Sequence, residues 1–237
     1  MEPQQILQRY WGHSNFRSLQ EDIIRQVILG KDVVALLPTG GGKSLCFQIP
    51  ALIHPGICIV VSPLVALMED QVSALKEKGI KAIALTGGTH YSEVDTLLDN
   101  CIYGNYKFLY LSPERLQQEL VQERIKQMEV NLVAVDEAHC ISEWGHDFRP
   151  AYRSISLLRE LQPTANMIAL TATATAEVVK DIAEQLQLKN AEIFRKSFER
   201  KNIAYSVVRV EDKNYHLEKL LKEHQESAII YVRNRKA

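Results

Sequence analysis

Two short segments of the sequence combine residue types that suit phosphate chemistry. The first, Leu37–Ser44, reads Leu-Pro-Thr-Gly-Gly-Gly-Lys-Ser and follows the apolar run Val33–Leu36. Its glycines let consecutive backbone N–H groups turn towards phosphate oxygens, and the helix expected to follow adds the partial positive charge of its N-terminus. A lysine in this position reaches the β- and γ-phosphates of a nucleotide, and the next hydroxyl binds Mg²⁺. The pattern predicts nucleotide contacts at Thr39, Gly40, Gly41, Gly42, Lys43 and Ser44, with Ser44 also a Mg²⁺ ligand.

This loop departs from the usual pattern at one position, because Leu37 stands where a glycine is expected. The alternative interpretation is a glycine-rich surface turn without a ligand. The setting of strand, turn and helix start favours a phosphate-binding loop.

The second segment is an acid pair at the end of another apolar run. Leu132–Val135 is apolar and rich in valine, as in a buried parallel strand, and Asp136, Glu137, Ala138 and His139 follow it. Ligands of an open α/β sheet bind at the carboxyl ends of its strands, so the acids and the loop should face one crevice. Asp136 suits Mg²⁺, which prefers oxygen ligands, and Glu137 suits the orientation or deprotonation of the water that attacks a γ-phosphate. Together the two segments predict an enzyme that hydrolyses nucleoside triphosphates.

The remaining segments alternate as in an α/β fold, a parallel sheet with helices on both faces. Strands are predicted at Val33–Leu37, Ile57–Ser62, Lys81–Leu85, Phe108–Leu111, Leu132–Asp136 and Met167–Thr171. Helices are predicted at Leu19–Leu29, Leu64–Lys78, Glu93–Asn100, Arg115–Met128, Ala151–Leu161 and Ala176–Leu186. In the helix Leu64–Lys78, helical spacing predicts a buried face made of Leu64, Leu67, Met68, Val72 and Leu75.

The pattern divides the chain into three parts. Residues 1–195 form the predicted α/β domain, and residues 196–212 are a charged linker that runs into an edge strand, Ile203–Val208. Residues 213–237, with a helix at Asn214–His224 and a strand at Ala228–Val232, are predicted to begin a second α/β domain. That stretch is too short to bury a core of its own, so we expect the chain to be part of a larger protein.

The composition is that of a globular protein, with 46% hydrophobic and 24% charged residues in 237. No apolar run approaches the roughly 18–20 residues that span a bilayer, and no secretory leader is visible, so we expect no membrane partner. The four cysteines form no CxxC pair, which favours a cytoplasmic location, associated with the nucleoid if the source is bacterial. Because the net charge is −1, nucleic-acid binding would have to come from a local face.

With these residues placed, the chain resembles the RecQ family of superfamily-two DNA helicases along nearly its whole length. The matching strings, in the family's order, are Phe16-Arg17 with Gln20, Thr39–Ser44, Ser62-Pro63-Leu64 through Asp70-Gln71, Ser112–Arg115, Asp136–His139, Cys140–Tyr152 and Thr171–Ala174. His139, in place of a second aspartate, resembles the DExH type rather than the DEAD-box RNA helicases.

The resemblance implies a RecA-like P-loop domain followed by the start of a second one. It implies ATP-dependent DNA unwinding in the 3′-to-5′ direction, in DNA repair and recombination, with ATP and Mg²⁺ as cofactors. The implied partners are single-stranded DNA and duplex DNA with single-stranded tails. The implied catalytic residues are Lys43, Asp136, Glu137 and His139.

The resemblance also implies an adenine site in His13–Gln20. Gln20 carries an amide that can both donate to and accept from the adenine edge. His13 stands where the family commonly has a stacking aromatic, and Arg17 belongs to the same motif. The alternative is that Gln20 is an ordinary polar residue at a helix start.

The aromatic loop, Cys140–Pro150, is the segment most diagnostic of the family. It places Trp144, His146, Phe148 and Arg149 directly after the catalytic acids. Single-stranded DNA is bound by rings that stack on bases and by guanidinium groups that pair with phosphates, so we predict DNA contacts for these four residues. Because the loop adjoins the acids, DNA contact would give a route to stimulated hydrolysis. The alternative is that the two rings fill the domain's core.

Two Ser-Pro segments each follow an apolar strand and precede a helix. Such helix starts can hold a backbone phosphate without a large basic patch, which predicts DNA contacts at Ser62, Pro63, Ser112 and Arg115. Ordinary helix capping by serine is a compatible alternative.

Thr171 and Thr173 end another strand at the same sheet edge. The resemblance implies hydrogen bonds from them towards His139, and a plain polar strand end is the alternative.

Two other functions stay open from the sequence. An RNA-dependent ATPase of the same fold is disfavoured by His139 and the aromatic loop, and a non-enzymatic DNA-binding module is disfavoured by the intact Lys43, Ser44, Asp136 and Glu137. The family's second motor domain supplies a charge-stabilising arginine, so we expect this chain alone to be nearly inactive.

Overall fold

The computed structural model describes residues 1–88, 90–145, 147–196, 203–224 and 226–232. They belong to two units, Met1–Phe198 and Glu199–Ala237. Every motif singled out in the sequence falls in the first unit.

The first unit is built on a seven-stranded sheet in the order β3-β4-β2-β5-β6-β1-β7, in which every described pair of neighbours is parallel. Its strands are β1 Val33–Leu36, β2 Ile57–Val61, β3 Ala82–Leu85, β4 Phe108–Leu111, β5 Val130–Val135, β6 Asn166–Thr171 and β7 Glu192–Arg195. The predicted α/β parallel sheet is confirmed.

Helices connect the strands, as parallel pairing requires. They are α1 Pro3–Trp11, α2 Gln20–Ile28, α3 Leu45–Ile53, α4 Val65–Glu77, α5 Tyr91–Tyr103, α6 Pro113–Leu116, α7 Glu119–Gln127, α8 Leu157–Leu161, α9 Ala176–Gln185 and, in the second unit, α10 Lys213–Glu223. Two 3₁₀ segments, Ala138–Ile141 and Pro150–Ser156, overlap the two ends of the aromatic loop.

The core lies in two layers, one on each face of the sheet, because alternate strand residues point to opposite faces. On one face α5, α7, α8 and α9 cover residues such as Val133 and Val135. On the other face α2, α3 and α4 cover residues such as Leu132 and Ala134. Both faces of β5 are therefore buried, which explains its continuous apolar sequence.

Several element boundaries differ from the sequence prediction. The predicted helix Arg115–Met128 is two helices, α6 and α7, that break at Gln117-Gln118, and the predicted helix Ala151–Leu161 begins as a 3₁₀ segment. The strand β7 was missed because it lies at the sheet edge and Ile193 is largely exposed, so no buried run marks it.

The buried face predicted for α4 is partly wrong. Met68, Val72 and Leu75 are buried as expected, but Leu64 is 43% exposed and Leu67 is 41% exposed. Leu64 precedes the helix as its N-cap, and the second core layer takes in only the part of the helix from Met68 onwards.

The second unit contains α10, whose first turn is capped by Asp212 accepting a hydrogen bond from Tyr215 N–H at 2.9 Å. The predicted strands Ile203–Val208 and Ala228–Val232 are not strands among the described residues. A strand needs a hydrogen-bonding neighbour, and no described residue pairs with either segment.

Candidate nucleotide and DNA site

Five strand ends deliver the predicted site residues to one edge of the sheet. The phosphate loop follows β1, the acids follow β5, and Thr171 ends β6. The backbone joins these ends, since Leu37 N–H donates to Thr171 O at 3.1 Å and Asp136 N–H donates to Val61 O at 2.9 Å. The two Ser-Pro segments follow β2 and β4 at the same edge.

The phosphate loop is shaped by its glycines. Gly40 and Gly42 have positive φ values of 75° and 74°, which residues with a side chain rarely adopt. A Cβ on Gly41 would lie 2.7 Å from Pro38 O, so a side chain has no room there. The backbone N–H groups of Lys43 and Ser44, just before α3, donate to no acceptor among the described residues. The loop therefore offers donors and helix-dipole charge to an anion.

Lys43 and the acid motif face each other across this crevice. Lys43 Nζ lies 3.7 Å from Glu137 Oε1, and both side chains are mostly buried. The ammonium and the carboxylate are the groups expected on either side of a γ-phosphate. The structure thus brings together two residues that are more than ninety positions apart in the sequence.

Asp136 is buried behind this pair, and its carboxylate is held in place by the backbone. Its Oδ1 accepts a hydrogen bond from Glu137 N–H at 3.0 Å, and the buried Tyr152 donates its hydroxyl to Asp136 O at 3.0 Å. Burial, followed by the charge of Glu137, raises the pKa of Asp136, while the Glu137 N–H and Lys43 oppose that rise. An arriving Mg²⁺ would favour the charged form, and the oxygen atoms of Asp136 and Ser44 fit such an ion.

Glu137 adopts a strained backbone conformation, with φ 46° and ψ 45° in the left-handed region. A residue with a side chain is held there only when its surroundings fix it, and such strain is concentrated at functional sites. The conformation directs Glu137 Oε2 to within 3.3 Å of His139 Nδ1.

His139 connects the acids to β6. Its Nδ1 lies 2.8 Å from the hydroxyl oxygen of Thr171, and that hydroxyl lies 3.2 Å from both the N–H and the carbonyl oxygen of Thr173. The predicted contact between Thr171 and His139 is present, and Thr173 joins the network through its backbone rather than its hydroxyl.

The predicted adenine segment lines a cleft of about 440 Å³ beside the phosphate loop. His13, Arg17 and Gln20 border this cleft together with Gly42 and Leu45. His13 is exposed, so its ring is accessible to a ligand. The size and lining suit a planar base next to the phosphates.

The side-chain amide of Gln20 is hydrogen-bonded to the phosphate loop. Its Nε2 lies 3.2 Å from Gly41 O and 3.1 Å from Gly42 O, while Oε1 accepts a hydrogen bond from Arg17 N–H at 2.8 Å. Arg17 Nη1 also donates to Gly40 O. A tie between the adenine segment and the loop was not foreseen from the sequence, because the two are about twenty residues apart and no local pattern pairs them.

The aromatic loop presents its tryptophan to solvent. Trp144 is 77% exposed, so it fills no core position and the alternative of a core plug is wrong for this residue. Phe148 is half-buried, and Arg153 Cζ lies 5.3 Å from the centroid of its ring. His146 lies outside the described residues.

Arg149 anchors the base of the aromatic loop. Its N–H donates to Cys140 O at 2.8 Å, and its Nη1 donates to Pro63 O at 3.2 Å. The side chain is still half-exposed, so a phosphate can approach it. Arg149 therefore links the loop to the first Ser-Pro segment.

The Ser-Pro segments differ from their prediction. Ser62 is buried, and its hydroxyl has no hydrogen-bond partner among the described residues. It does not cap α4, whose N-cap is Leu64. Ser112 is the N-cap of the four-residue helix α6 without a side-chain bond, and Pro63 is half-exposed beside Arg149. Direct DNA contact by the Ser62 hydroxyl would require this segment to move.

Arg115 is not presented to DNA as expected. Its side chain is buried, and its guanidinium donates to Thr86 O and, at 3.1 Å, to Gln118 Oε1. The charge is used to hold the end of β3 against α6. We therefore correct the prediction to a structural role.

The geometry of loop, acids and threonines agrees with the family comparison. A model of the DEAD/DEAH box helicase family matches residues 17–182, which include every one of these motifs. The chain belongs to this family. The RecQ resemblance is confirmed as well, since the chain is 43% identical over 236 residues to the ATP-dependent DNA helicase RecQ of Bacillus subtilis.

That match covers 98% of this chain and 40% of the Bacillus protein. The RecQ-like DNA helicase BLM of Xenopus laevis is 39% identical over 245 residues, covering 99% of the chain and 18% of the relative. The chain thus spans about two fifths or less of the length of these two relatives.

Solved structures show the same fold. The helicase domain of Pyrococcus furiosus Hef is 24% identical with a TM-score of 0.59, covering 76% of this chain and 38% of its own. The DUF1998 helicase MrfA is 18% identical with a TM-score of 0.71, and the match covers 100% of this chain and 39% of the MrfA chain. The predicted RecA-like fold is confirmed by these neighbours.

No helix among the described residues is long and apolar enough to cross a membrane.

Proposed function

We propose that this domain binds Mg²⁺·ATP and hydrolyses it as the first motor domain of a 3′-to-5′ DNA helicase. The observation that carries the proposal is the meeting of Lys43, Asp136 and Glu137 at one sheet edge, with the exposed Trp144 on the loop that follows. We further propose a cytoplasmic location, at the nucleoid if the source is bacterial.

In the proposed reaction the chain's own residues position and polarise ATP. The loop N–H groups and Lys43 hold the β- and γ-phosphates, and His13 and the cleft around it hold the base. Glu137 orients the attacking water and accepts its proton, because its carboxylate points across the crevice towards Lys43. Mg²⁺, held at Asp136 and Ser44, neutralises phosphate charge when bound.

The same geometry supports coupling between DNA and hydrolysis. The aromatic loop begins at Cys140, directly after His139, and His139 Nδ1 lies 3.3 Å from Glu137 Oε2. A base that stacks on Trp144 would therefore act on a loop whose first residues adjoin the water-orienting acid. We propose single-stranded DNA, and duplex DNA with a single-stranded tail, as the partners that use this route.

The test is phosphate release by the full-length protein from Mg²⁺·ATP, alone and with single-stranded DNA or RNA of the same sequence. Unwinding is measured in parallel on duplexes with a 3′ or a 5′ tail. We expect stimulation by DNA and unwinding of the 3′-tailed duplex. Equal stimulation by RNA would favour the RNA-dependent ATPase, and DNA binding without phosphate release would favour the non-enzymatic module.

A further inference from the structure

Three side chains of different ligand chemistry converge where the acid motif meets the aromatic loop. His139, Cys140 and Asp147 each offer one ligating atom, and these atoms lie within 4.8 Å of one another. His139 and Cys140 are buried, and Asp147 is exposed to solvent. The proposed hydrolysis uses neither Cys140 nor Asp147.

The spacing fits a single tetrahedral ion. Cys140 Sγ lies 3.8 Å from His139 Nε2 and 3.7 Å from Asp147 Oδ2. Two ligands of a tetrahedral zinc ion stand about 3.3–3.8 Å apart, as follows from bond lengths of roughly 2.0–2.3 Å. Small side-chain movements would therefore complete the geometry.

The hydrogen bonds of His139 give its ring the correct orientation for such a site. Glu137 Oε2, a carboxylate oxygen 3.3 Å from His139 Nδ1, can only accept, so Nδ1 carries the hydrogen. The Thr171 hydroxyl at 2.8 Å accepts from the same Nδ1 if it donates to Thr173 O. The other ring nitrogen, Nε2, lies on the side of Cys140, 3.8 Å from its Sγ. Metal-binding histidines are commonly fixed through their other nitrogen in this way.

We propose that His139, Cys140 and Asp147 bind one thiophilic divalent cation of the zinc class, with a water molecule as the fourth ligand. The mixed nitrogen, sulfur and oxygen set suits zinc and disfavours Mg²⁺, which prefers oxygen ligands only. The site is therefore distinct from the proposed Mg²⁺ ligands Ser44 and Asp136.

Binding requires the Cys140 thiol to release its proton to solvent as the sulfur–metal bond forms. Burial, followed by the charge of Asp147, raises the pKa of this thiol to about 12, whereas the charge of Arg149 lowers it. The protein without a cation therefore holds a neutral thiol, and a thiophilic ion supplies the charge that stabilises the thiolate.

The site would couple two parts of the motor. Asp147 belongs to the aromatic loop, and His139 follows the acids at the end of β5. A bound cation would hold the loop in the position seen here and oppose its movement on DNA. The proposal concerns cation binding alone, so it stands or falls independently of the helicase activity.

The test uses Co²⁺ as a spectroscopic probe of the 237-residue chain. We expect a thiolate-to-cobalt charge-transfer band at one equivalent of Co²⁺, with the visible bands of tetrahedral cobalt, and we expect Zn²⁺ to displace both. Exposed histidines that bind cobalt without sulfur do not give the charge-transfer band.

Two variants at the site and one control decide the assignment. Cys140→Ser should abolish the charge-transfer band, and Asp147→Asn, at an exposed position, should weaken cobalt affinity by about tenfold or more. Cys101→Ser, at another buried cysteine, should leave both unchanged. Absence of the band in the unaltered chain, its persistence in Cys140→Ser or unchanged affinity in Asp147→Asn would overturn the proposal. If Cys140→Ser fails to fold, the Asp147→Asn titration still decides.

Discussion

Lys43 is the residue on which the proposed phosphate chemistry depends most directly. Its ammonium is mostly buried at the start of α3 and lies 3.7 Å from Glu137 Oε1. In the full-length protein we expect Lys43→Ala to lower ATP turnover by roughly 10²–10³-fold, because one preorganised charge is lost from a desolvated site. Phosphate release at saturating Mg²⁺·ATP measures this effect.

Lys180→Ala is the matched control, since the Lys180 side chain is 78% exposed on α9. Its turnover should equal that of the unaltered protein. Turnover of Lys43→Ala within about threefold of the control would remove Lys43 from the catalytic residues.

A substitution at Trp144 tests the response to DNA without altering stability, whereas a substitution at Phe148 would alter both. Because Trp144 is 77% exposed, Trp144→Ala should leave the thermal midpoint unchanged while the stimulation of ATPase by single-stranded DNA is lost. DNA affinity should fall by only about 1–3 kcal/mol, the value of one stacked base. Phe148 packs under Arg153, so its removal would mix stability with function.

Tyr103→Ala is the control for Trp144, because Tyr103 is 76% exposed on α5, away from the aromatic loop in the sequence. It should change neither the thermal midpoint nor the stimulation ratio. A Trp144→Ala protein with full DNA stimulation would show that the exposed ring has another purpose.

At the scale of elements, the buried Asp32 joins helix α8, strand β6 and the turn between α9 and β7. Its carboxylate accepts hydrogen bonds from Arg159 Nη2 at 2.7 Å, from Met167 N–H at 2.7 Å and from Lys189 N–H at 2.6 Å. We expect Asp32→Ala to lower the free energy of unfolding by about 3–5 kcal/mol, because it leaves a buried guanidinium without its partner. Urea unfolding measures the loss.

The control is Glu21→Ala on α2, which breaks an exposed pair with Arg25 at 3.7 Å. Exposed pairs of this kind contribute less than about 1 kcal/mol. Equal losses from the two variants would mean that Asp32 does not hold the segments together.

At the scale of the whole molecule, the first unit carries the entire described core. Among the residues that the structure describes, the last buried apolar one is Leu186, and α10 buries none. We therefore expect residues 1–198 to melt within about 2–4 °C of the 237-residue chain, the shift that 1 kcal/mol produces in a domain of this size. If residues 1–198 melt at a much lower temperature than the whole chain, as measured by circular dichroism, the second unit contributes to stability.

We expect ATP hydrolysis and DNA unwinding to need more of the protein than these 237 residues. A charge-stabilising arginine is worth about 10³–10⁵ in kcat in phosphoryl transfer, and the RecQ resemblance implies that a second motor domain supplies it. We expect residues 1–237 to hydrolyse ATP slowly and to leave a 3′-tailed duplex intact. Strand separation by this chain in a gel assay would show that one motor domain is sufficient.

Six of the seven strands, the phosphate loop and the acid pair were predictable from local sequence. These signals are local: valine-rich runs must be buried on both faces, and consecutive glycines before Lys43 admit few conformations. The family resemblance rests on the same strings, and it predicted the contact between Thr171 and His139.

Contacts between distant parts of the chain fix which side chains face solvent and which bind other parts of the fold. Sequence alone does not show whether an arginine or a glutamine binds a ligand or a carbonyl group of the same chain. In the structure, Arg115 binds the carbonyl of Thr86. Gln20 binds the carbonyls of Gly41 and Gly42. The exposure of Trp144 could not be predicted either, because its own segment does not specify whether other parts of the fold cover the ring. Burial and hydrogen-bond partners come from residues far away in the chain, so local sequence does not specify them.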